Sequence, residues 1–364
     1  KHLMPSSQKI AVLGSLTVDL FVQPSQTRII SHSTEDSHEE FLAFPHGGKI
    51  CAEQVTEKFG GGASNVGTSF ARQGFDVEIF GAKGDDSFGD KIIENLQNEK
   101  IQIKNIKKIQ ETKSGFSLIL NSFDGERTVI FTSEANRKFD RINKDEIDKC
   151  DHIYLCHLSA QNSADIFATL EQSIQQHPHK TLAWNPGKER IKLGIEKNKT
   201  LLSHTDILFV NTEEAEAFSG EKAIIQQTHG EKRRSGENGI QTTEKLPKYV
   251  RIVDHIAQKF LNAGVKTVVI TDGQKGAQAF TQDQQYFCPV IEDATRKDTL
   301  GAGDAFASTF TAHYISSKTL PECLKYATIQ ATSVVGHIGA QDGLLSTQKL
   351  NDAYKNIHLS LYSL

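Results

Sequence analysis

Ile10-Ala11-Val12-Leu13-Gly14 is an apolar run with no polar alternation, stopped by a glycine. A strand that faces water on one side alternates apolar with polar residues, so an unbroken run predicts a strand covered on both faces. Similar short runs recur at Val77 to Gly81, His152 to Leu155, Thr181 to Trp184, Ile207 to Val210 and Thr267 to Ile270. Helical stretches lie between them, such as Asn65 to Gln73, which ends at Gly74. Buried strands alternating with helices predict a three-layer, doubly wound α/β fold with a mostly parallel sheet.

Two stretches depart from this rhythm. Ser117 to Asn121 and Arg127 to Phe131 flank Phe123-Asp124-Gly125 and read as a hairpin with a glycine turn. The segment from Phe41 to Phe59 is also strand-like. Together they predict a small β-sheet lid built from segments 22–59 and 114–133, inserted in one domain over 9–358. Residues 221–247 hold only five apolar residues, Ala223, Ile224, Ile225, Ile240 and Leu246, and read as a mobile polar surface insertion.

Composition narrows the function classes. The net charge of −4 is not that of a general nucleic-acid binder. Five scattered cysteines without a C-x-x-C pair suggest neither a disulfide framework nor a zinc site. No apolar run approaches membrane-spanning length, and Lys1 to Ser7 has no apolar signal core. The expectation is a cytoplasmic protein without a membrane partner.

The chemistry concentrates in Asp298-Thr299-Leu300-Gly301-Ala302-Gly303-Asp304-Ala305-Phe306-Ala307. Two glycines around an alanine let the backbone turn sharply, and Ala305 to Tyr314 is compatible with a helix. The turn would then sit at a helix N-terminus, which attracts anions, including a transferring phosphoryl group. Asp304 beside such a site could take the proton of an attacking hydroxyl. Read alone, the run is also consistent with a glycine turn and an ordinary first-turn acid.

In its longer context, Asp298 to Asp304 resembles the C-terminal signature of the ribokinase-like (PfkB-type) carbohydrate and nucleoside kinases. The resemblance implies that Gly301, Ala302 and Gly303 form an anion hole and that Asp304 is the catalytic base. It places Thr299 at the nucleotide, and Asp298 at a position associated with a monovalent cation such as K+. Thr309 departs from the small glycine or alanine usual in that helix. Phe59-Gly60-Gly61-Gly62-Ala63-Ser64-Asn65, with Ala71 to Gly74 and Phe80 to Gly89, is similar to the family's N-terminal signature. There Gly60 and Gly61 would admit the acceptor and Asn65 would hydrogen-bond its hydroxyls. Asn65 could equally cap the next helix.

Asp19, just beyond the first predicted strand, matches a carboxylate that binds two substrate hydroxyls in the family, although such a residue is often only a turn residue. Thr17 stands where ribokinases usually carry asparagine. Asn211-Thr212-Glu213-Glu214 resembles an N-x-x-E motif tied to magnesium and phosphate placement, which implies that Asn211 and Glu214 serve the nucleotide, Glu214 reaching Mg2+ through water. The same four residues also suit a helix N-cap with an acidic first turn. Thr271, Gly273 and Gly276 resemble the nucleotide loop, and Gly339-Ala340-Gln341 the late loop over base and cation. Asn185, ending a central strand, could reach phosphate or metal or be a turn residue.

These matches span residues 10 to 345. No G-x-x-x-x-G-K-[ST] occurs, and Gly14 does not begin G-x-G-x-x-G, so P-loop and dinucleotide-binding readings have no motif. The resemblance implies an ATP- and Mg2+-dependent phosphotransferase acting on a small sugar. A nucleoside is the alternative acceptor, and a non-catalytic sugar- or nucleotide-binding regulator the reading from another class. An exposed lid edge is a candidate homodimer contact.

Overall fold

Lys9–Leu13 lies inside a ten-stranded sheet, parallel to both His152–Leu155 and Asp76–Gly84. The computed structural model describes residues 8–33, 38–122, 127–158, 163–227, 232–235, 241–244, 249–291 and 296–363. From Gln102–Ile109 at one edge across to Thr267–Thr271, every neighbouring pair of strands is parallel. Ala277–Phe280, Gln285–Cys288 and Tyr362–Ser363 then extend the sheet antiparallel.

The unbroken apolar runs are explained by what covers them. Ile10 and Val12 belong to a core layer with Phe70, Phe310 and Leu324, from helices Gly62–Arg72, Ala302–Ile315 and Leu320–Val335. Ala11 and Leu13 belong to the opposite layer with Leu170, Phe218 and Phe260, from helices Ala164–Gln176, Thr212–Ser219 and Asp254–Asn262. Successive side chains of a strand point to opposite faces, so each apolar residue has a helix to bury against. Each fully buried large side chain contributes about 1.5–3 kcal/mol. The predicted three-layer α/β architecture is the one observed.

The lid is a separate four-stranded sheet in the order Ala52–Gly60, Thr17–Pro24, Gly115–Asn121, Arg127–Thr132. Its outer pairs are antiparallel and its central pair is parallel. The sheet starts at Thr17, ahead of the predicted boundary at residue 22. It omits His38–Ala43, which instead pairs with Arg28–Ser33 as a two-stranded ribbon. The predicted turn at 123–125 lies outside the described residues. The edge strand Arg127–Thr132 exposes Val129, Ile130 and Phe131, so apolar side chains emerge on both of its faces.

The predicted polar insertion contributes to two short backbone ladders: Ile224–Gln227 pairs with Tyr249–Ile252 just beyond it, and Lys232–Ser235 pairs with Gln241–Glu244 inside it. Residues 228–231, 236–240 and 245–248 lie outside the described residues. Polar composition concealed these pairings because a ladder is held by backbone groups whatever the side chains.

Candidate active site

Helix Ala302–Ile315 is capped by Gly301 in the left-handed conformation, with φ 75° and ψ −1°. A methyl group at Gly301 would also collide with Ala340, so this position requires glycine in both conformation and space. Gly303 differs: a methyl there would meet no atom within 4 Å. The first turn of any helix leaves N–H groups without intrahelical acceptors, and here they border that open space.

Asp304 is partly exposed in this first turn. Its Oδ2 accepts a hydrogen bond from Asn65 Nδ2 at 2.8 Å. Burial of the surrounding site pushes its carboxyl up to about 6, and the Asn65 bond acts in the opposite direction. Asn65 lies inside helix Gly62–Arg72, whose N-cap is Gly61, and therefore does not cap it. Its amide is oriented from behind by Gln341. Gln341 Nε2 donates to Asn65 Oδ1 at 3.2 Å and to Ser64 Oγ at 2.9 Å, while its Oε1 accepts from Asn95 Nδ2 at 3.3 Å.

Thr309 is fully buried, and its hydroxyl accepts from Gln73 Nε2 at 3.2 Å. The neighbouring Ser308 donates to Ser69 Oγ at 2.7 Å. The two site helices thus dock through satisfied hydroxyls, which accommodates the departure from a small residue.

Asp19 falls within lid strand Thr17–Pro24, not in a turn. It pairs across the sheet with Lys58 and Ser117, and its Oδ1 accepts from Thr17 Oγ1 at 3.1 Å. Burial raises its carboxyl; hydrogen bonds from Ser117 and Thr17 lower it, and the Asp298 charge raises it. Any side chain at Gly60 would strike the Asp19 carboxylate. Gly61, with φ 87°, starts the Asn65 helix against the Ser15 backbone.

On the other side of the turn lies a cavity of about 290 Å³ lined by Thr271, Gly273, Gly276, Thr299, Ala302 and Gly303, with Phe306, Thr328 and Val335 among its walls. Four of the six predicted nucleotide residues, Thr271, Gly273, Gly276 and Thr299, therefore line one space, at the carboxyl end of strand Thr267–Thr271. Asn211 and Glu214 do not line it. They form a reciprocal capping box, in which Asn211 Oδ1 accepts from the Glu214 N–H at 2.8 Å and Glu214 Oε2 accepts from the Asn211 N–H at 2.9 Å. Asn211 is nevertheless the register partner of Thr271 in the sheet. Asn185 donates to the Phe209 carbonyl at 2.9 Å, a backbone role.

Asp298 is nine-tenths buried, and three donors engage its carboxylate. Oδ1 accepts from the Leu300 N–H at 3.0 Å and from Arg127 Nη1, and Oδ2 accepts from the Gly339 N–H at 3.0 Å. Arg127 Nη2 also donates to Thr299 Oγ1 at 2.9 Å. The loop Gly339-Ala340-Gln341, expected over base and cation, packs against Asp298, Gly301 and Asn65 in turn. Sequence reasoning identified Arg127 only as a strand residue and Gln341 only as part of a loop. No local pattern marks a contact between residues 171 positions apart.

Asn65→Ala removes a donor to the ionised form of Asp304, so the carboxyl should rise above about 6. The acid limb of kcat/KM against pH is expected to move to higher pH. A limb in its original place would contradict the contact's role.

The family comparison matches residues 36–348 to the pfkB family carbohydrate kinases. Among curated proteins, the deoxyribokinase of Salmonella typhi is 25% identical over 94% of this chain and 97% of its own length. Arabidopsis thaliana ribokinase, solved with ribose and ATP, superposes with a TM-score of 0.73 at 19% identity, covering 96% of this chain and 99% of that one. The nucleoside kinase of Methanocaldococcus jannaschii superposes with a TM-score of 0.69 at 17% identity, covering 96% and 99%. The family match takes in Asn65, the capping box and the whole Asp298-to-Asp304 turn, and this chain belongs to the pfkB family of carbohydrate kinases as an ATP-dependent sugar kinase.

Proposed function

We propose that the chain phosphorylates a hydroxyl of a small sugar, with Asp304 as the general base and the Gly301-Ala302-Gly303 turn as the receiver of the transferring phosphoryl group. The observation that carries this reading is the Asp304 carboxylate in the first turn of a helix, held by Asn65 beside the open space at Gly303. A carboxyl raised to about 6 is ionised at neutral pH yet binds a proton more readily than an ordinary carboxylate. The acceptor hydroxyl gives its proton to Asp304 as its oxygen bonds to the terminal phosphorus. The bond between that phosphorus and the bridging oxygen breaks, and ADP leaves. Such transfers depend chiefly on positioning and on stabilising charge that develops at the phosphoryl oxygens, the task of the first-turn N–H groups.

The acceptor sits between Asp19, Asn65 and Asp304, with Gly60 and Gly61 admitting it. The lid excludes water that would otherwise compete for the phosphoryl group. The cavity's apolar walls at Phe306 and Val335, with hydroxyls at Thr271, Thr299 and Thr328, suit a nucleotide base and its ribose. Mg2+ would arrive with the nucleotide phosphates and be reached through water by Glu214, supplying charge neutralisation there. Among the described residues no helix is long and apolar enough to cross a membrane. A cytoplasmic location is the matching proposal, and fractionation of the native protein would test it.

Two donors already engage Asp19, the hydroxyls of Thr17 and Ser117. A carboxylate offers about four acceptor sites, so about two remain, enough for a pair of vicinal hydroxyls of a sugar. ADP release should be followed with ribose, 2-deoxyribose, fructose, adenosine, inosine and cytidine. Turnover is expected with a sugar. Turnover confined to the nucleosides would overturn the assignment.

A further inference from the structure

We infer that the Arg127 guanidinium, delivered by the lid, takes the place at Asp298 where the family resemblance puts a monovalent cation, so that this kinase turns over without K+. The inference rests on the proposed reading of the Asp298-to-Asp304 turn as the phosphoryl site. It starts from a disagreement between residue and role. A carboxylate that is to hold a cation needs lone pairs directed at it, and those of Asp298 are largely occupied. Leu300 N–H and Arg127 Nη1 meet Oδ1, and Gly339 N–H meets Oδ2. Two of these donors are backbone groups fixed by the turn and the late loop. The third already carries the positive charge that an ion would bring.

Competition favours the arginine. A guanidinium stays protonated throughout the accessible pH range and is more weakly hydrated than a compact cation, so it pairs readily in a partly buried site. It is also tethered to the chain, and a tethered group acts at an effective concentration of about millimolar or above. A free ion would need to shed its water and displace a partner of equal charge.

The position of Arg127 adds a consequence. It opens the lid edge strand Arg127–Thr132, opposite Asn121, whereas Asp298 and Thr299 belong to the body of the molecule beside Gly301. The bridge from one guanidinium to Asp298 Oδ1 and Thr299 Oγ1 forms only with the lid against the body. Lid closure and completion of positive charge beside the anion turn are therefore one event. A sugar that draws the lid down would assemble the phosphoryl site as it binds, a form of induced fit.

The experiment compares wild type and Arg127→Ala at constant ionic strength in KCl, NaCl and tetramethylammonium chloride. Turnover is read with the best acceptor, and Tm is read in the same salts. Wild-type rates are expected to agree within about twofold across salts, with no K+-specific rise in Tm. Arg127→Ala should lose about tenfold or more in tetramethylammonium chloride, with partial recovery in KCl and a K+-specific rise in Tm. Activation of the wild type about tenfold by KCl, a K+-specific rise in its Tm, or an unimpaired Arg127→Ala enzyme would overturn the inference. The Tm series needs no turnover. A protein inactive on every acceptor would contradict the kinase reading, while Tm would still decide whether Arg127 or K+ serves Asp298.

Discussion

Asp304→Asn is expected to lower turnover by about 10²- to 10⁴-fold with little change in ATP binding, the usual effect of losing a general base. The amide is nearly the same size and can still meet Asn65, but it cannot accept the hydroxyl proton. The same substitution should make the protein more stable at neutral pH. The folded-state carboxyl lies near 6, above its ordinary value of 3.8, so the native state binds the proton more tightly than the unfolded chain. Stability therefore falls as pH rises between those values, and an ionised Asp304 costs the fold up to about 3 kcal/mol at pH 7. Removing the charge relieves this cost, less whatever the hydrogen bond from Asn65 contributed. Thermal unfolding at pH 7 and at pH 4 would show it, with the gain present at pH 7 and reduced at pH 4. A lower Tm at pH 7, or turnover within about twofold of wild type, would count against the assignment.

The two glycines of the turn should fail in different ways. Gly301→Ala places a side chain at φ 75° and against Ala340, and is expected to destabilise the protein by about 2–4 kcal/mol. Gly303→Ala meets no protein atom, and alanine suits a helix better by up to about 1 kcal/mol. It should fold as well as wild type or better. Its methyl group would nevertheless stand in the space assigned to the transferring phosphoryl group, and turnover should fall about 10²-fold, the scale of a lost oxyanion contact. Tm and kcat measured on the pair separate the two roles. If Gly303→Ala kept full turnover, the open space would not be where the phosphoryl group passes.

What was legible in the sequence followed from local patterns. The central strands could be read because strands covered on both faces must be apolar throughout, as Ile10 to Leu13 and Ile207 to Val210 are. The Gly301-to-Asp304 turn was legible because a sharp turn into a helix leaves its mark in consecutive residues. Strand Thr17–Pro24 was not, since it is only half-covered and carries Asp19 in its middle; a polar residue after a strand looks like a turn. Arg127 and Gln341 were hidden for another reason. Their partners, Asp298 and Asn65, come from distant parts of the chain, and only the docking of lid and late loop brings them together. Asn211 and Glu214 show the converse. Their spacing satisfies the capping box in full, so the motif has a complete local explanation beside any role toward Mg2+.

The most direct test of Asp304 as the base is single-turnover formation of sugar phosphate from preassembled enzyme, ATP-Mg and acceptor, followed between pH 5 and 8. The wild-type rate constant is expected to climb about tenfold per pH unit below about 6 and to level off above it, because the base must be ionised. The Asp304→Asn rate should be about 10²- to 10⁴-fold lower and lack this limb. A wild-type rate independent of pH across that range, or an Asp304→Asn enzyme with the wild-type rate and profile, would contradict that role.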